Sequence, residues 1–302
     1  MANLQVSVAG IELKNPLITA SGTCGYGREL AELFDLSLLG GISVKGTTLQ
    51  PRAGNPTPRI AETASGMLNS VGLQNPGIDR VIATEIPFLR RFNTAIIINI
   101  AGHSVEDYRA VAARLEGEAG VAGIEVNISC PNVSGGGMAF GVDPAVAAEV
   151  ISAVRGATRL PLIAKLSPNV TDIVAIAAAV KEAGCDAVSL INTLHGMVID
   201  VEKRAPLLAN KFGGLSGPAV KPIALRMVWQ VYEAVDIPII GLGGISSAED
   251  AIEFIMAGAS AFQIGSASFH DPQAAPRIIE QLDDWLDAHG VSAIGELVGA
   301  AH

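Results

Sequence analysis

The chain is poor in aromatic residues, cysteine and positive charge. Phe, Trp and Tyr make up 4% of its 302 residues, while glycine alone accounts for 33. That balance suits close helix–strand packing better than a β-sandwich. Cysteine occurs three times, at Cys24, Cys130 and Cys185, with wide spacing and no CxxC pair. This excludes a disulfide framework and the four thiolates of an ordinary iron–sulfur cluster. Lys and Arg number 20 against 30 Asp and Glu, a formal charge of −10, and the basic residues are scattered. A phosphate-tracking surface for nucleic acid needs them clustered. No apolar run approaches the roughly 18 residues of a membrane span; the longest, 173–180, is far shorter. The opening MANLQVSVAG is not a basic, apolar signal peptide, and no residue cluster suggests a metal site. The expectation is a soluble, reduced, cytoplasmic protein without nucleic-acid or membrane partners.

What is present is an apolar content of 49%, well beyond a disordered chain. At about 150 residues per domain the length suggests two domains, but one α/β barrel of about 250 residues fits as well. No composition shift or linker divides the chain, so 1–302 reads as a single domain. Short apolar runs, as in strands buried on both faces, fall at 16–20, 41–45, 95–99, 123–127, 161–165, 187–191, 237–241 and 261–265. Helical patterns fall at 28–34, 78–92, 106–118, 143–155, 171–183, 217–234, 247–257 and 272–289. Asp143-Pro144 is a cap followed by proline at the first helical position, Thr171 is a plausible cap, and Gly184 and Gly258 close two helices. Eight strands, each followed by a helix, predict an α/β fold of the (β/α)8 TIM-barrel type. Segments 4–8 and 11–13 predict a small N-terminal β-hairpin under the barrel. A doubly wound sheet is the lesser alternative. Connections 47–77 and 192–216 are too long for tight turns and read as lids or binding loops.

In a barrel of this type the active site lies at the carboxyl ends of the strands. The runs end, in order, in Ala20-Ser21-Gly22, Lys45-Gly46-Thr47, Asn99, Asn127-Ile128-Ser129-Cys130-Pro131-Asn132, Lys165, Asn192-Thr193, Gly243-Gly244 and Gly265-Ser266. Distinctive polar groups therefore converge on one rim. The glycine pairs serve either as tight βα turns or as a place where backbone N–H groups approach a phosphate. Gly241-Leu242-Gly243-Gly244 lacks the full dinucleotide register, so a mononucleotide such as FMN fits better than NAD. Two lysines at strand ends are costly to bury unless an acceptor-rich or anionic ligand meets them. An ammonium beside a flavin favours its reduced, negatively charged form. Asn69, Asn99, Asn127 and Asn192 offer donors and acceptors to a flat, imide-bearing ring, although any single Asn is as readily a turn residue or cap. Cys130 stands in a polar turn before Ser134-Gly135-Gly136-Gly137, a glycine run that reads as a mobile flap. Its thiol could serve as nucleophile or general base. His103 and His195 follow the third and sixth strands, but no motif ties either to Cys130.

These residues together resemble a class 1 dihydroorotate dehydrogenase over nearly the whole chain. The likeness rests on Ala20-Ser21-Gly22, Ser43-Val44-Lys45-Gly46-Thr47-Thr48, Asn69-Ser70-Val71-Gly72-Leu73-Gln74-Asn75, the Asn127 to Asn132 segment, Asn192-Thr193 and Gly214-Leu215-Ser216-Gly217. The resemblance implies an FMN enzyme that oxidises dihydroorotate to orotate in pyrimidine synthesis. It implies that Cys130 is the base at C5. It implies that Ser21, Lys45, Gly46, Asn99, Asn127, Lys165, Ile191, Gly217, Gly243, Gly244, Gly265 and Ser266 hold FMN. Lys45, Asn69, Ser70, Val71, Gly72, Leu73, Asn127, Asn192 and Thr193 would hold the substrate. Segment 131–141 is more similar to the NAD-linked type 1B than to the fumarate-using type 1A. That type implies a partner subunit carrying FAD and a 2Fe–2S cluster, in a heterotetramer of two catalytic and two electron-transfer subunits. Competing readings are the type 1A enzyme, an FMN barrel acting on another pyrimidine, and a non-catalytic barrel that binds a phosphorylated ligand.

Overall fold

The computed structural model of the chain describes residues 2–129 and 140–302. Cys130 and the glycine run Gly135-Gly136-Gly137 lie outside the described residues. Strands β1 (Val6–Val8) and β2 (Ile11–Leu13) form the expected antiparallel hairpin. The strands that follow are β3 (Leu17–Thr19), β4 (Gly41–Ser43), β5 (Ile60–Thr63), β6 (Gly66–Asn69), β7 (Ala95–Ile100), β8 (Val121–Asn127), β9 (Leu162–Lys165), β10 (Ala187–Leu190), β11 (Leu194–Met197), β12 (Ile199–Asp200), β13 (Ala205–Pro206), β14 (Phe212–Ser216), β15 (Ile239–Leu242) and β16 (Ala261–Ile264). Eight of them close into a barrel in the order β3-β4-β7-β8-β9-β10-β15-β16, every pairing parallel. They are the eight predicted strands, with ends that differ by no more than two residues.

The helices pack outside the barrel: α1 (Arg28–Ala31), α2 (Ile78–Arg80), α3 (Ile86–Leu89), α4 (Val105–Leu115), α5 (Pro144–Arg155), α6 (Ile173–Glu182), α7 (Lys221–Tyr232), α8 (Ala248–Met256), α9 (Ala267–His270) and α10 (Ala274–His289). Helix α4 buries Tyr108, Val111, Ala112 and Leu115, the face read from its spacing. Asp143 caps α5 by accepting from the N–H groups of Ala145 and Val146. The cap of α6 is Asp172 rather than Thr171, because its carboxylate reaches the N–H groups of Val174 and Ala175 at 2.9 and 3.1 Å. The single helix expected over 78–92 is interrupted by a π-helical turn, Val81–Glu85. Pro87, in the α3 that follows, has no N–H to return to the carbonyl four residues earlier. The helix expected from 28 to 34 ends at Ala31, and the one expected from 217 starts as a 3-10 turn, Pro218–Val220, before α7.

Connections 47–77 and 192–216 contain more order than the sequence suggests. Strands β5 and β6 from the first join β14 and β11 from the second in a four-stranded antiparallel sheet, order β11-β14-β6-β5. The sheet packs on its own small core of Ala61, Leu68 and Leu208.

Inside the barrel, side chains are layered by the two-residue period of the strands. The lowest layer is apolar: Ile18, Ile97, Ile163, Ala187, Ile240 and Ala261 pack on Val8, Ile11 and Leu13 of the hairpin. Two residues further along four of these strands the inward positions turn polar, as Asn99, Lys165, Ser189 and Gln263. Ser43 of β4 and Glu125 of β8 join them, and all six are buried. The hairpin thus closes the barrel from below, and its polar half opens toward the rim.

Candidate active site

Above this polar layer lies a cavity of about 780 Å³ at the carboxyl ends of the strands. The structure brings nearly all the predicted site residues to its wall. Ser21, Lys45, Gly46, Asn99, Asn127, Lys165, Ile191, Gly243, Gly244, Gly265 and Ser266 line it, as do Asn69, Ser70, Val71, Gly72, Leu73, Asn192 and Thr193. Gly217 does not. Its φ of 104° turns the chain against Gly66, where an added Cβ would lie 2.5 Å from the Gly66 Cα. Gly217 packs against Gly66 and beside Gly244 and does not itself line the cavity.

Lys165 ends β9 and is 4% exposed. Its Nζ donates to Ser21 Oγ at 3.1 Å and lies 3.7 Å from Oε2 of Glu125. The sequence reading supplied no counter-charge for a buried lysine; Glu125 is that charge. The visible signal was an acid inside an otherwise apolar strand, Gly123-Ile124-Glu125-Val126-Asn127. Lys45 is half-buried, and its Nζ lies 3.5 Å from the point a Cβ on Gly22 would occupy.

The amides form a connected set. Asn127 Oδ1 accepts from the Ser129 N–H and from Asn192 Nδ2, both at 3.2 Å. Asn192 Oδ1 accepts from the N–H of Thr193 at 2.8 Å. Asn169, which the sequence reading passed over, donates to the Thr193 carbonyl at 3.0 Å and accepts from the His195 N–H at 2.9 Å. It ties β11 to the rim. His195 lines the cavity on that strand, whereas His103 does not line it and pairs with Arg52. Cys24 and Cys185 are buried, and burial pushes their thiols up to about 11 and about 12. Neither is a thiolate near neutral pH, which agrees with their reading as apolar filler.

Three buried polar atoms on the cavity wall lack a hydrogen-bond partner among the described residues: Asn99 Oδ1, Gln263 Oε1 and Ser70 Oγ. A buried carbonyl oxygen without a donor costs free energy, so these positions suit a ligand that carries N–H groups. Glycines provide the opposite wall. Gly243 and Gly244 have φ of 126° and 83°, and Cβ atoms there would lie 2.9 Å from Ala224 Cβ and 2.8 Å from Lys221 Cβ. Only glycine fits there, and the backbone lies open to the cavity.

The sequence model of the dihydroorotate dehydrogenase family matches residues 3–286. This chain belongs to the dihydroorotate dehydrogenase family. It is 58% identical over 298 residues to a protein of Pelobacter propionicus named dihydroorotate dehydrogenase B (NAD(+)), catalytic subunit, covering 99% of this chain and 98% of that one. Proteins of the same name from Geobacter sp. strain M21 and Desulforudis audaxviator are each 57% identical, over 298 and 297 residues, covering 99% and 98% of this chain and 98% and 97% of theirs. Within this dihydroorotate dehydrogenase-family barrel, the rim carries two ammonium groups, a linked amide set and orphan acceptors around one cavity. The outer lip is apolar, with Ile60, Phe212 and Phe269 exposed. Among the described residues no group of His, Cys, Asp and Glu could hold a metal ion, and no helix is long and apolar enough to cross a membrane.

Proposed function

We propose that this chain is the catalytic subunit of an NAD⁺-linked dihydroorotate dehydrogenase, a flavin enzyme that oxidises (S)-dihydroorotate to orotate in pyrimidine synthesis, with FMN as its flavin. The observation that carries this reading is the donor and acceptor pattern of the cavity. A flavin presents an N3–H and a C2 carbonyl on one edge of its ring. The orphan oxygens of Asn99 and Gln263 would accept that N–H, and the Lys165 ammonium, which donates to Ser21 Oγ, would be available to the carbonyl. Ser21, Gly46, Asn127 and Ile191, which line the same cavity, would complete the ring contacts with Lys45, and the open backbones of Gly243, Gly244, Gly265 and Ser266 would receive the phosphate. Residues 1–302 form one FMN-binding domain, working in the cytoplasm.

Bound FMN supplies the acceptor for the hydride that leaves C6 of dihydroorotate. The chain's own work is positioning and proton transfer. Lys45 and the amides of Asn69, Asn127 and Asn192 hold the imide ring and carboxylate, with Ser70 to Leu73 and Thr193 beside them. Cys130 takes the C5 proton, and the electron pair left behind becomes the C5–C6 double bond of orotate. A cysteine base, ordinarily near pKa 8.5, suits a weakly acidic C–H near neutral pH.

The three cysteines of the chain are too few for an iron–sulfur cluster, and no dinucleotide fingerprint occurs. Electrons therefore leave through a partner subunit with FAD and a 2Fe–2S cluster, in an assembly of two copies of each. The test is anaerobic. Dihydroorotate should bleach the yellow protein, and neither NAD⁺ nor fumarate alone should reoxidise it, whereas NAD⁺ should do so once the partner is added. Rapid reoxidation by fumarate would make the chain a type 1A enzyme. A colourless protein that takes up no FMN would sink the flavin reading, and bleaching by dihydrouracil but not dihydroorotate would shift the substrate to another pyrimidine.

Gly214 offers a separate test of the substrate side. An added Cβ there would lie 2.0 Å from Thr193 Oγ1. Gly214→Ala should push Thr193 aside and weaken orotate binding about tenfold, the worth of one good hydrogen bond, while FMN content stays at wild-type level. An unchanged orotate dissociation constant, read from the flavin spectrum, would remove Thr193 from the substrate contacts.

A further inference from the structure

The reaction leaves the buried carboxylate at the centre of the barrel without a task. Glu125 is fully buried in the centre of the barrel. Its Oε1 accepts from Ser189 Oγ at 2.9 Å and Gln263 Nε2 at 2.8 Å. Its Oε2 accepts from Ser43 Oγ at 3.0 Å and Asn99 Nδ2 at 2.6 Å, and lies 3.7 Å from Lys165 Nζ. Four donors and an ammonium surround a group that, when ionised, only accepts. Burial alone would push this carboxyl up; the Lys165 charge and the hydrogen bonds from Gln263, Asn99 and Ser189 outweigh it and hold it below the usual range.

Two consequences reach the cavity. Both amides must turn their NH₂ groups to the carboxylate, which leaves Asn99 Oδ1 and Gln263 Oε1 as acceptors without a partner among the described residues. Gly46 leaves space beside one of them, since a Cβ there would lie 3.0 Å from Asn99 Oδ1. The second consequence is electrostatic. The ammonium of Lys165 carries a negative charge directly behind it, seen from the rim. Among the described residues, the other titratable groups near this pair are Lys45 at the rim and the Cys24 thiol, which is neutral near pH 7.

We propose that Glu125 is a positioning residue for the flavin: it fixes Asn99 and Gln263 as acceptors toward the ring, and its charge behind Lys165 keeps the flavin's reduction potential below what the lysine alone would set. An unopposed ammonium would hold the reduced, anionic ring tightly. An enzyme that must hand its electrons onward gains from moderating that grip. The inference rests on the FMN reading above.

The test is the midpoint potential of the bound flavin, measured by equilibration with a reference dye and without substrate. A unit charge within roughly 10 Å, at an effective dielectric of about 20, changes an equilibrium by about tenfold or more. Glu125→Gln should therefore raise the ratio of reduced to oxidised FMN affinity at least tenfold, an upward shift of about 30 mV for a two-electron couple. Glu125→Asp keeps the charge and should stay near the wild-type potential. A potential for Glu125→Gln that is unchanged or lower, or an equal rise in Glu125→Asp, overturns the proposal. Should Glu125→Gln fail to fold, Lys165→Met is compared with Lys165→Met/Glu125→Gln, in which no buried charge is left unpaired. At a pH high enough to keep Glu125 ionised without Lys165, the double variant should have the higher potential, and equal values there overturn the proposal. A wild-type chain that takes up no FMN refutes the FMN reading instead, so the two failures are distinguishable.

Discussion

Replacing Cys130 with alanine is expected to slow the anaerobic reduction of the flavin by dihydroorotate by about 10²–10⁴-fold, the usual contribution of a general base. Cys130 follows β8 by three residues. The strand ends in Asn127, whose amide is held by Ser129 and Asn192 and whose carbonyl accepts from Tyr108 Oη at 2.7 Å. The chain therefore leaves an anchored platform at the rim just before the thiol. Orotate binding should change little, because the base acts on a proton and not on the ring's hydrogen-bonding edge. Stopped-flow absorbance separates the two: slow bleaching at saturating dihydroorotate with an ordinary orotate dissociation constant. Bleaching near the wild-type rate would remove Cys130 from the chemistry. Cys130→Ser should retain a trace of activity that rises with pH, since a hydroxyl is a far weaker acid than a thiol.

Lys165→Met is expected to destabilise the protein by about 3–5 kcal/mol, because it strands a buried carboxylate. The pair is enclosed, with side-chain exposures of 4% and 0%, so solvent does little to screen the loss. Substituting Glu125 with Gln in the same chain should recover most of it, and urea unfolding of the three variants measures the coupling. The pH dependence carries a definite sign. In the wild-type protein the carboxyl of Glu125 is held below its usual range. Its contribution is present above the unfolded-state value and is lost as pH falls through the folded one. In Lys165→Met the ammonium is gone and burial pushes the same carboxyl up. Acidification from pH 7 toward 4 should therefore narrow the gap between the two proteins. A gap that widens over this interval would show that the carboxylate is not the stranded group.

The barrel was legible because each of its strands is a short apolar run and each helix a periodic one, both local patterns. The rim was legible for a related reason: a strand's last residues fall at the site in this fold, so Lys45, Asn99, Asn127 and Lys165 declare themselves by position. The antiparallel sheet over the mouth was not. Its strands β6 and β14 pair Asn69 with Gly214 across 145 residues, and segments such as Ile60–Thr63 have no periodicity that would mark them as strands. What faces Gly217 was not legible either, because a glycine's neighbours in space, here Gly66, leave no local pattern.

The order of residues along this chain decides which side chains point inward, since alternation along a strand is a property of the backbone itself. It thereby sets a barrel, a rim of polar strand ends and a chemistry of lysines, amides and a thiol. Which inward groups meet is decided only when eight strands close in register. Ser43, Asn99, Glu125, Lys165, Ser189 and Gln263 come from six different strands, and no local pattern links them. Closure makes one carboxylate the common acceptor of four of them and the ion-pair partner of Lys165, and that in turn sets the polarity of the amides at the mouth. Charge and hydrogen bonding act across space, so this layer exists only in the folded barrel.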